Sequence, residues 1–229
     1  MRMFDFTLPI ELHKELNPKL WSNGHLKNDA HQALLKIAQV YYKFLQTDAP
    51  LLDVVVSGSQ SNYNYTEHSD LDLHLIIPFE HVDCAGLDVA EYFDTKRKLW
   101  KEQHNITIHG VPVELYAEDV ALPAISAVYS LMDKKWVKEP PPPPTTLDME
   151  DVKAEAEKWA KIIDGAVRAR NFEMLTHVRD MLGRYRKDGL AKSGEFGVEN
   201  LAFKSLRNGG KIKLLMGMIR HLEDKEMSV

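Results

Sequence analysis

Residues 54–77 constrain the fold of this chain most, because their sequence, VVVSGSQSNYNYTEHSDLDLHLII, specifies two strands and the connection between them. An apolar run leads into a Gly58-Ser59 dipeptide and a polar loop, after which polar and apolar residues alternate. Side chains alternate between the two faces of a strand, so Asp70 and Asp72 lie on one face and the intervening leucine on the other. The stretch therefore predicts a strand with a core on one side and two neighbouring carboxylates on the other.

These residues also predict a site for phosphate and metal. Two carboxylates this close raise each other's pKa unless a cation lies between them. Mg²⁺ or Mn²⁺ is the expected cofactor, because hard divalent ions bind one or two carboxylates together with substrate phosphates. Gly58 lets the backbone approach a phosphate closely, and consecutive N–H groups beside Ser59 form an anion-binding nest.

The composition narrows the class of protein. The chain has 229 residues, of which 44% are hydrophobic and 28% charged, and these values predict one large or two small globular domains. A net charge of −5 excludes a protein that coats nucleic acid over its whole surface. The single cysteine, Cys84, excludes an internal disulfide framework. Neither a secretory signal nor a membrane-spanning run is found, so we expect a cytoplasmic protein without membrane association.

Apolar residues spaced three and four apart predict a helix on either side of this strand pair. The first has about 18 residues with Asn28 as its N-cap, and the second spans residues 87–103. The second half of the latter helix carries a basic cluster, Lys96, Arg97, Lys98 and Lys101. Two interpretations are open: a solvated face that complements the helix dipole, or a surface that contacts phosphate or nucleic acid.

Residues 105–116, NITIHGVPVELY, predict a β-hairpin, because two β-rich runs flank His109-Gly110. Glu114 is predicted on the face opposite Val113 and Leu115. Three carboxylates from two strands can bind two divalent ions about 4 Å apart, so Glu114 is the third candidate ligand. The mixed apolar residues 119–132 predict a further helix. Together these elements predict an α/β (α+β) domain with a small mixed sheet flanked by helices.

Five consecutive prolines at positions 140–144 mark the clearest boundary in the chain. Such a run predicts a semi-rigid polyproline II spacer, and a docking site for a proline-reading domain is the other interpretation. We divide the sequence into a domain over 1–139, a linker over 140–146 and a helical domain over 147–229. Helices are predicted over 147–188 with a turn at Arg170-Asn171, then over 198–206 and 211–222, with a glycine-rich loop at 189–197.

The charge is distributed unevenly between these regions. Residues 168–213 contain eleven Lys or Arg against five Asp or Glu, whereas residues 1–139 contain 13 against 20. A basic helical module beside an acidic catalytic domain suits a polyanionic substrate such as RNA. It is equally compatible with an ordinary surface that balances its acidic neighbour.

The order of these motifs resembles the DNA polymerase β-type nucleotidyltransferase superfamily. The resemblance implies that the Gly58-Ser59 turn holds nucleotide phosphates and that Asp70, Asp72 and Glu114 bind two divalent metals and act in catalysis. The stretches NPKLW and GLAKSGEFGVENLAFK also resemble predicted nucleotidyltransferases of tailed bacteriophages, for which the expected location is the host cytoplasm.

The loop between Ser59 and Asp70 departs from the family pattern, because it has no further glycine. Asn62, Tyr63 and the later Ser69 are predicted as additional nucleotide-binding residues, while the other interpretation is that the loop only caps the turn. His74 shares the face of Asp72 and is either part of the site or a half-buried, hydrogen-bonded histidine.

The leading hypothesis is a metal-dependent enzyme that transfers a nucleoside monophosphate from an NTP to an acceptor hydroxyl and releases pyrophosphate. An RNA 3′ end is one candidate acceptor. Alternatives are an inactive module that binds nucleotide or nucleic acid, and a nucleotidyltransferase of toxin-antitoxin type that modifies a protein. Arg170 and His177 also have a spacing loosely like that of HEPN ribonucleases, which often accompany small nucleotidyltransferases.

Overall fold

A mixed sheet flanked by helices is followed by a helical region, as the computed structural model shows for residues 12–120 and 127–228. The predicted α+β class is confirmed. The chain divides into two units, and the boundary lies between residues 143 and 144. Within the described residues, no helix is both long enough and apolar enough to cross a membrane.

The first unit, Leu12–Pro143, is built around a mixed sheet. Its described elements are β1 (Trp21–Ser22), β2 (His25–Leu26), α1 (Asn28–Leu45), β3 (Asp53–Ser57), β4 (Leu71–Ile77), α2 (Val89–Gln103), β5 (Thr107–Ile108), β6 (Val111–Asp119), β7 (Val128–Ser130) and β8 (Lys135–Lys138). The strand order in the sheet is β5-β6-β4-β3-β7-β8. Strands β4 and β6 are parallel and the other neighbours are antiparallel.

The alternating sequence of β4 forms the centre of this unit. Its four odd-numbered apolar side chains, from Leu71 to Ile77, are fully buried in one core with apolar residues of α1 and α2. The even-numbered residues, among them Asp72 and His74, lie on the opposite face and are half-buried. The core therefore fixes which way the carboxylate of Asp72 points, because a shift by one residue would expose every leucine.

The helices and the hairpin of this unit agree with the sequence. Helix α1 has 18 residues and begins at Asn28, although its N-cap residue is Lys27 and no side chain caps it. The β5–β6 hairpin turns at His109 and Gly110, which both have positive φ, as a tight two-residue turn requires.

The helix expected over 119–132 is wrong where the structure describes it. Residues 121–126 lie outside the described residues, and Val128–Ser130 forms β7, which pairs with β3. All three residues of β7 are buried. In a short run whose residues are all buried, the pattern of apolar residues does not distinguish a strand from a helix. Pairing with β3 therefore decides its conformation.

The second unit contains four described helices: α3 (Met149–Ala169), α4 (Phe172–Ser193), α5 (Val198–Asn208) and α6 (Lys211–Met227). The predicted turn is confirmed: Arg170 has a φ of 49°, and the Asn171 side chain accepts a hydrogen bond from Met174 N to cap α4. The loop expected over 189–197 is wrong in its first half. Gly189 lies inside α4, where an added Cβ would come within 2.3 Å of the Glu199 side chain, so this glycine serves close helix packing.

Candidate active site

The turn after β3 places Gly58 directly against Asp72. Gly58 has φ 75° and ψ −159°, a combination that residues with a side chain rarely adopt. A Cβ added to Gly58 would lie 1.9 Å from Asp72 Oδ2. The Asp72 carboxylate thus occupies the space that a Cβ at position 58 would need, so only glycine fits there.

Asp72 and Glu114 occupy the same row of the sheet. In the register of the sheet, Ser57 lies opposite Asp72, and Asp72 lies beside Glu114 on the parallel strand β6. Neighbouring strands are about 4.8 Å apart, so the two carboxylate side chains project from adjacent positions on one face. Asp70 precedes β4 by one residue and lines a cavity of ≈ 270 Å³ together with Glu114. The three predicted carboxylates therefore lie at the beginning of β4 and on the part of β6 beside it.

Both carboxylate oxygens of Glu114 accept hydrogen bonds from residues that the sequence alone does not assign to the site. Lys101 Nζ of α2 donates a hydrogen bond to Glu114 Oε1, and the Tyr116 hydroxyl donates to Oε2 over 2.7 Å. Burial alone would raise the pKa of Glu114, but these hydrogen bonds and the positive charges of Lys101 and Arg97 outweigh it and lower the pKa. Glu114 is therefore a carboxylate at neutral pH.

The polar face continues along both strands with Tyr116 and His74. The two rings stack with centroids 4.8 Å apart, and His74 Nδ1 lies 2.7 Å from Glu118 Oε2. Burial raises the pKa of Tyr116, and the negative charges of Asp72 and Glu114 raise it further, so its hydroxyl stays protonated as a donor. His74 is half-buried and lies against Glu118 and Tyr116.

The loop after Gly58 is held from inside by its own polar side chains. Asn62 is 0% exposed, and its Nδ2 donates to the carbonyl oxygen of Gly58 over 3.2 Å. Ser69 is also buried, and its Oγ accepts a hydrogen bond from Thr66 N over 2.9 Å. Both side chains therefore form hydrogen bonds within the loop, and their binding of nucleotide stays a prediction.

Two further predicted residues have different surroundings. Ser59 is half-buried and begins the 3₁₀ turn Ser59–Ser61 next to Gly58. Tyr63 lines a cavity of ≈ 550 Å³ with Trp21 and Lys27, and among the described lining residues none is shared with the cavity of Asp70. Ser59 therefore lies beside the carboxylates in the fold, whereas Tyr63 lines a separate cavity.

The fit of a divalent cation depends on Glu114. Over residues 12–120 and 127–228, no group of three His, Cys, Asp or Glu side chains is arranged to hold a metal ion. The two oxygens of Glu114 are bound by Lys101 and Tyr116. The donor chemistry nevertheless suits Mg²⁺ or Mn²⁺, which prefer carboxylate oxygens. Asp70 and Asp72 could hold such an ion, and Glu114 could join them once it leaves Lys101.

Comparison with known proteins adds little. No family model matches the sequence, and no curated protein matches it. The structure of a STING-associated CdnE c-di-GMP synthase from Capnocytophaga granulosa is similar over 88% of this chain and 84% of that chain, with 13% identity and a TM-score of 0.23. A likeness at this level decides nothing about activity. The resemblance to predicted bacteriophage enzymes stays a prediction.

Proposed function

We propose that the chain is a metal-dependent nucleotidyltransferase, which moves a nucleoside monophosphate from an NTP to an acceptor hydroxyl. The observation that carries this proposal is the contact of Asp72 with Gly58, in the same sheet row as Glu114. A phosphate-binding turn and metal-binding carboxylates have to be adjacent for this chemistry, because the ion binds both protein and triphosphate.

The residues around the turn have distinct roles in this proposal. Asp70 and Asp72 hold the nucleotide-associated Mg²⁺ or Mn²⁺, which when bound neutralises charge on the phosphates. Gly58 lets the turn lie next to Asp72, since any side chain there would occupy the space of the carboxylate. The turn and the carboxylate can then approach the same triphosphate. The Ser59 hydroxyl donates a hydrogen bond to the β- or γ-phosphate.

The transfer itself exchanges one phosphorus–oxygen bond for another. The acceptor oxygen attacks the α-phosphorus, the bond from that phosphorus to the bridging oxygen breaks, and pyrophosphate leaves. Asp72 or Glu114 accepts the proton of the acceptor hydroxyl. Burial raises the pKa of Glu114, but its hydrogen bonds with Lys101 and Tyr116 lower this pKa overall, so the carboxylate is ionised before the substrates bind.

RNA is the acceptor class that we place first. Helix α4 carries Arg184 and Lys187 at an open cavity of ≈ 500 Å³, which the ion pair of Arg179 and Asp180 also lines. Exposed cations in such an arrangement attract a phosphate backbone without reading its sequence.

Pyrophosphate release from each of the four NTPs, with Mg²⁺ or Mn²⁺ and RNA or hydroxyl acceptors, tests the proposed activity. We expect Asp70→Asn and Asp72→Asn to lower the rate by at least about a hundredfold, because each removes a carboxylate charge that would hold the metal ion. Glu118→Gln is the matched control, since Glu118 lies on the same face of β6 but pairs with His74.

Two results would contradict the proposal. One is the absence of pyrophosphate release by the wild-type protein with every NTP and acceptor. The other is equal release by wild type and Asp72→Asn, which would remove the carboxylates from the chemistry. A loss in Glu118→Gln as large as that in Asp72→Asn would show that the effect is not specific to the site.

A further inference from the structure

The contact between Lys101 and Glu114 places a protein cation at the third carboxylate. Lys101 Nζ binds Oε1, and the Tyr116 hydroxyl binds Oε2, so both oxygens of Glu114 are engaged. Arg97 lines the same cavity, but its Nε and Nη2 bind Asp94 Oδ1, the latter over 2.6 Å. Of these two cations of α2, Lys101 is therefore the one that binds Glu114 directly.

The position of Lys101 allows this contact to form and to break. Its neighbour Trp100 is buried and packs against Tyr41 of α1 with ring centroids 5.2 Å apart, so the backbone at this point of α2 is anchored. The Lys101 side chain itself is 64% exposed. An ion pair with one exposed partner is weak, and water readily replaces it at the lysine.

We propose that Lys101 competes with the divalent cation for Glu114, so that the protein's own ammonium occupies the third ligand until a metal ion displaces it. The inference rests on the proposed function, because it concerns the same carboxylates. An ammonium and a metal ion at the same carboxylate oxygen repel each other, so each weakens the binding of the other. The positive charge of Lys101 also repels a cation held by the adjacent Asp72.

Direct measurement of Mn²⁺ binding to the full chain by calorimetry, without nucleotide, tests the competition. Lys101→Met keeps an unbranched side chain one atom shorter and removes its charge, and we expect it to bind Mn²⁺ about threefold more tightly than wild type. Lys101→Arg retains a cation that can bind Glu114, so its affinity should stay within about twofold of wild type.

Lys98→Met is the matched control. Lys98 lies one turn earlier on α2, is 66% exposed and pairs with Asp94, so this change removes the same charge without touching Glu114. Its Mn²⁺ affinity should equal that of wild type. Circular dichroism confirms that each variant is folded.

The outcomes separate this inference from the proposed function. Equal Mn²⁺ affinity in wild type and Lys101→Met, with binding lost in Asp72→Asn, overturns the competition and leaves the metal site standing. Tightening in Lys98→Met as large as in Lys101→Met also overturns it, because the effect is then one of general charge. Absence of Mn²⁺ binding in both wild type and Lys101→Met overturns the competition, whereas the proposed metal dependence is tested separately by pyrophosphate release, where the NTP supplies the remaining ligands.

Discussion

At position 58, both the backbone conformation of the fold and the candidate active site require a residue without a side chain. Its backbone conformation excludes most side chains, and the carboxylate of Asp72 fills the space that a side chain would use. A glycine before a serine is an unremarkable dipeptide in a sequence. Its meaning comes from the strand that follows, because β4 returns antiparallel to β3 and brings Asp72 back to the turn.

We expect Gly58→Ala to lower the free energy of unfolding by about 2–4 kcal/mol, since it adds backbone strain and a clash with Asp72. Urea denaturation measures this. Gly86→Ala is the control, because Gly86 has a similar φ of 85° and an added Cβ there meets nothing within 4 Å among the described residues. A loss in Gly58→Ala no greater than in Gly86→Ala would mean that Asp72 does not limit the turn.

The loop that follows Gly58 behaves as an element in its own right, with Gln60 at its centre. Gln60 is 1% exposed; its Nε2 donates to the Ser69 carbonyl oxygen over 2.8 Å, and its Oε1 accepts from Asn17 Nδ2 over 2.9 Å. The Gln60 carbonyl oxygen accepts from Trp21 Nε1 over 2.8 Å. One buried side chain thus connects both ends of the loop with the segment before β1.

Gln60→Ala should therefore destabilise the protein by about 2–3 kcal/mol, because it leaves buried groups of Asn17 and Ser69 without their partner. Urea denaturation again gives the value, and Gln103→Ala at the exposed end of α2 serves as the control. An effect of Gln60→Ala as small as that of Gln103→Ala would show that the loop is not held by this residue.

Elements that bury one face could be predicted from the sequence, because periodicity and burial are one physical signal. The strand β4 and the helix α1 are examples. Strand β7 and the helical Gly189 could not be predicted, since contacts with β3 and with Glu199 decide them.

The same division applies to the site. The alternation of polar and apolar residues in β4 and β6 predicts that Asp72 and Glu114 lie on the polar faces of their strands. That Lys101 reaches Glu114 depends on how α2 packs beside β6. Its only sequence signal is membership of the basic cluster in the second half of that helix.

At the scale of the whole molecule, charge is the property that separates the regions. The net charge is −5, yet residues 168–213 have eleven basic and five acidic residues. On α4, Arg184 and Lys187 are exposed and line the same open cavity. A uniform acidic surface would repel RNA, whereas a local excess of cations can attract it.

We expect Arg184→Gln with Lys187→Gln to weaken binding of a single-stranded RNA oligonucleotide and to reduce the slope of log affinity against log salt by about 1.4, or about 0.7 for each lost contact. Fluorescence anisotropy across a salt series measures both. Lys36→Gln with Lys43→Gln removes two exposed cations from α1 instead. Equal weakening by the two pairs would assign the effect to net charge and not to α4.

The position of β4 between β3 and β6 has a consequence for the order in which the site assembles during folding. Asp72 meets Gly58 after a short chain reversal, from position 58 to position 72, whereas it meets Glu114 only when α2 has been closed over between them. Closing the longer segment loses more chain entropy, and contacts distant in sequence form more slowly. The turn and its aspartate should therefore come together first, and the third carboxylate should arrive later with its lysine.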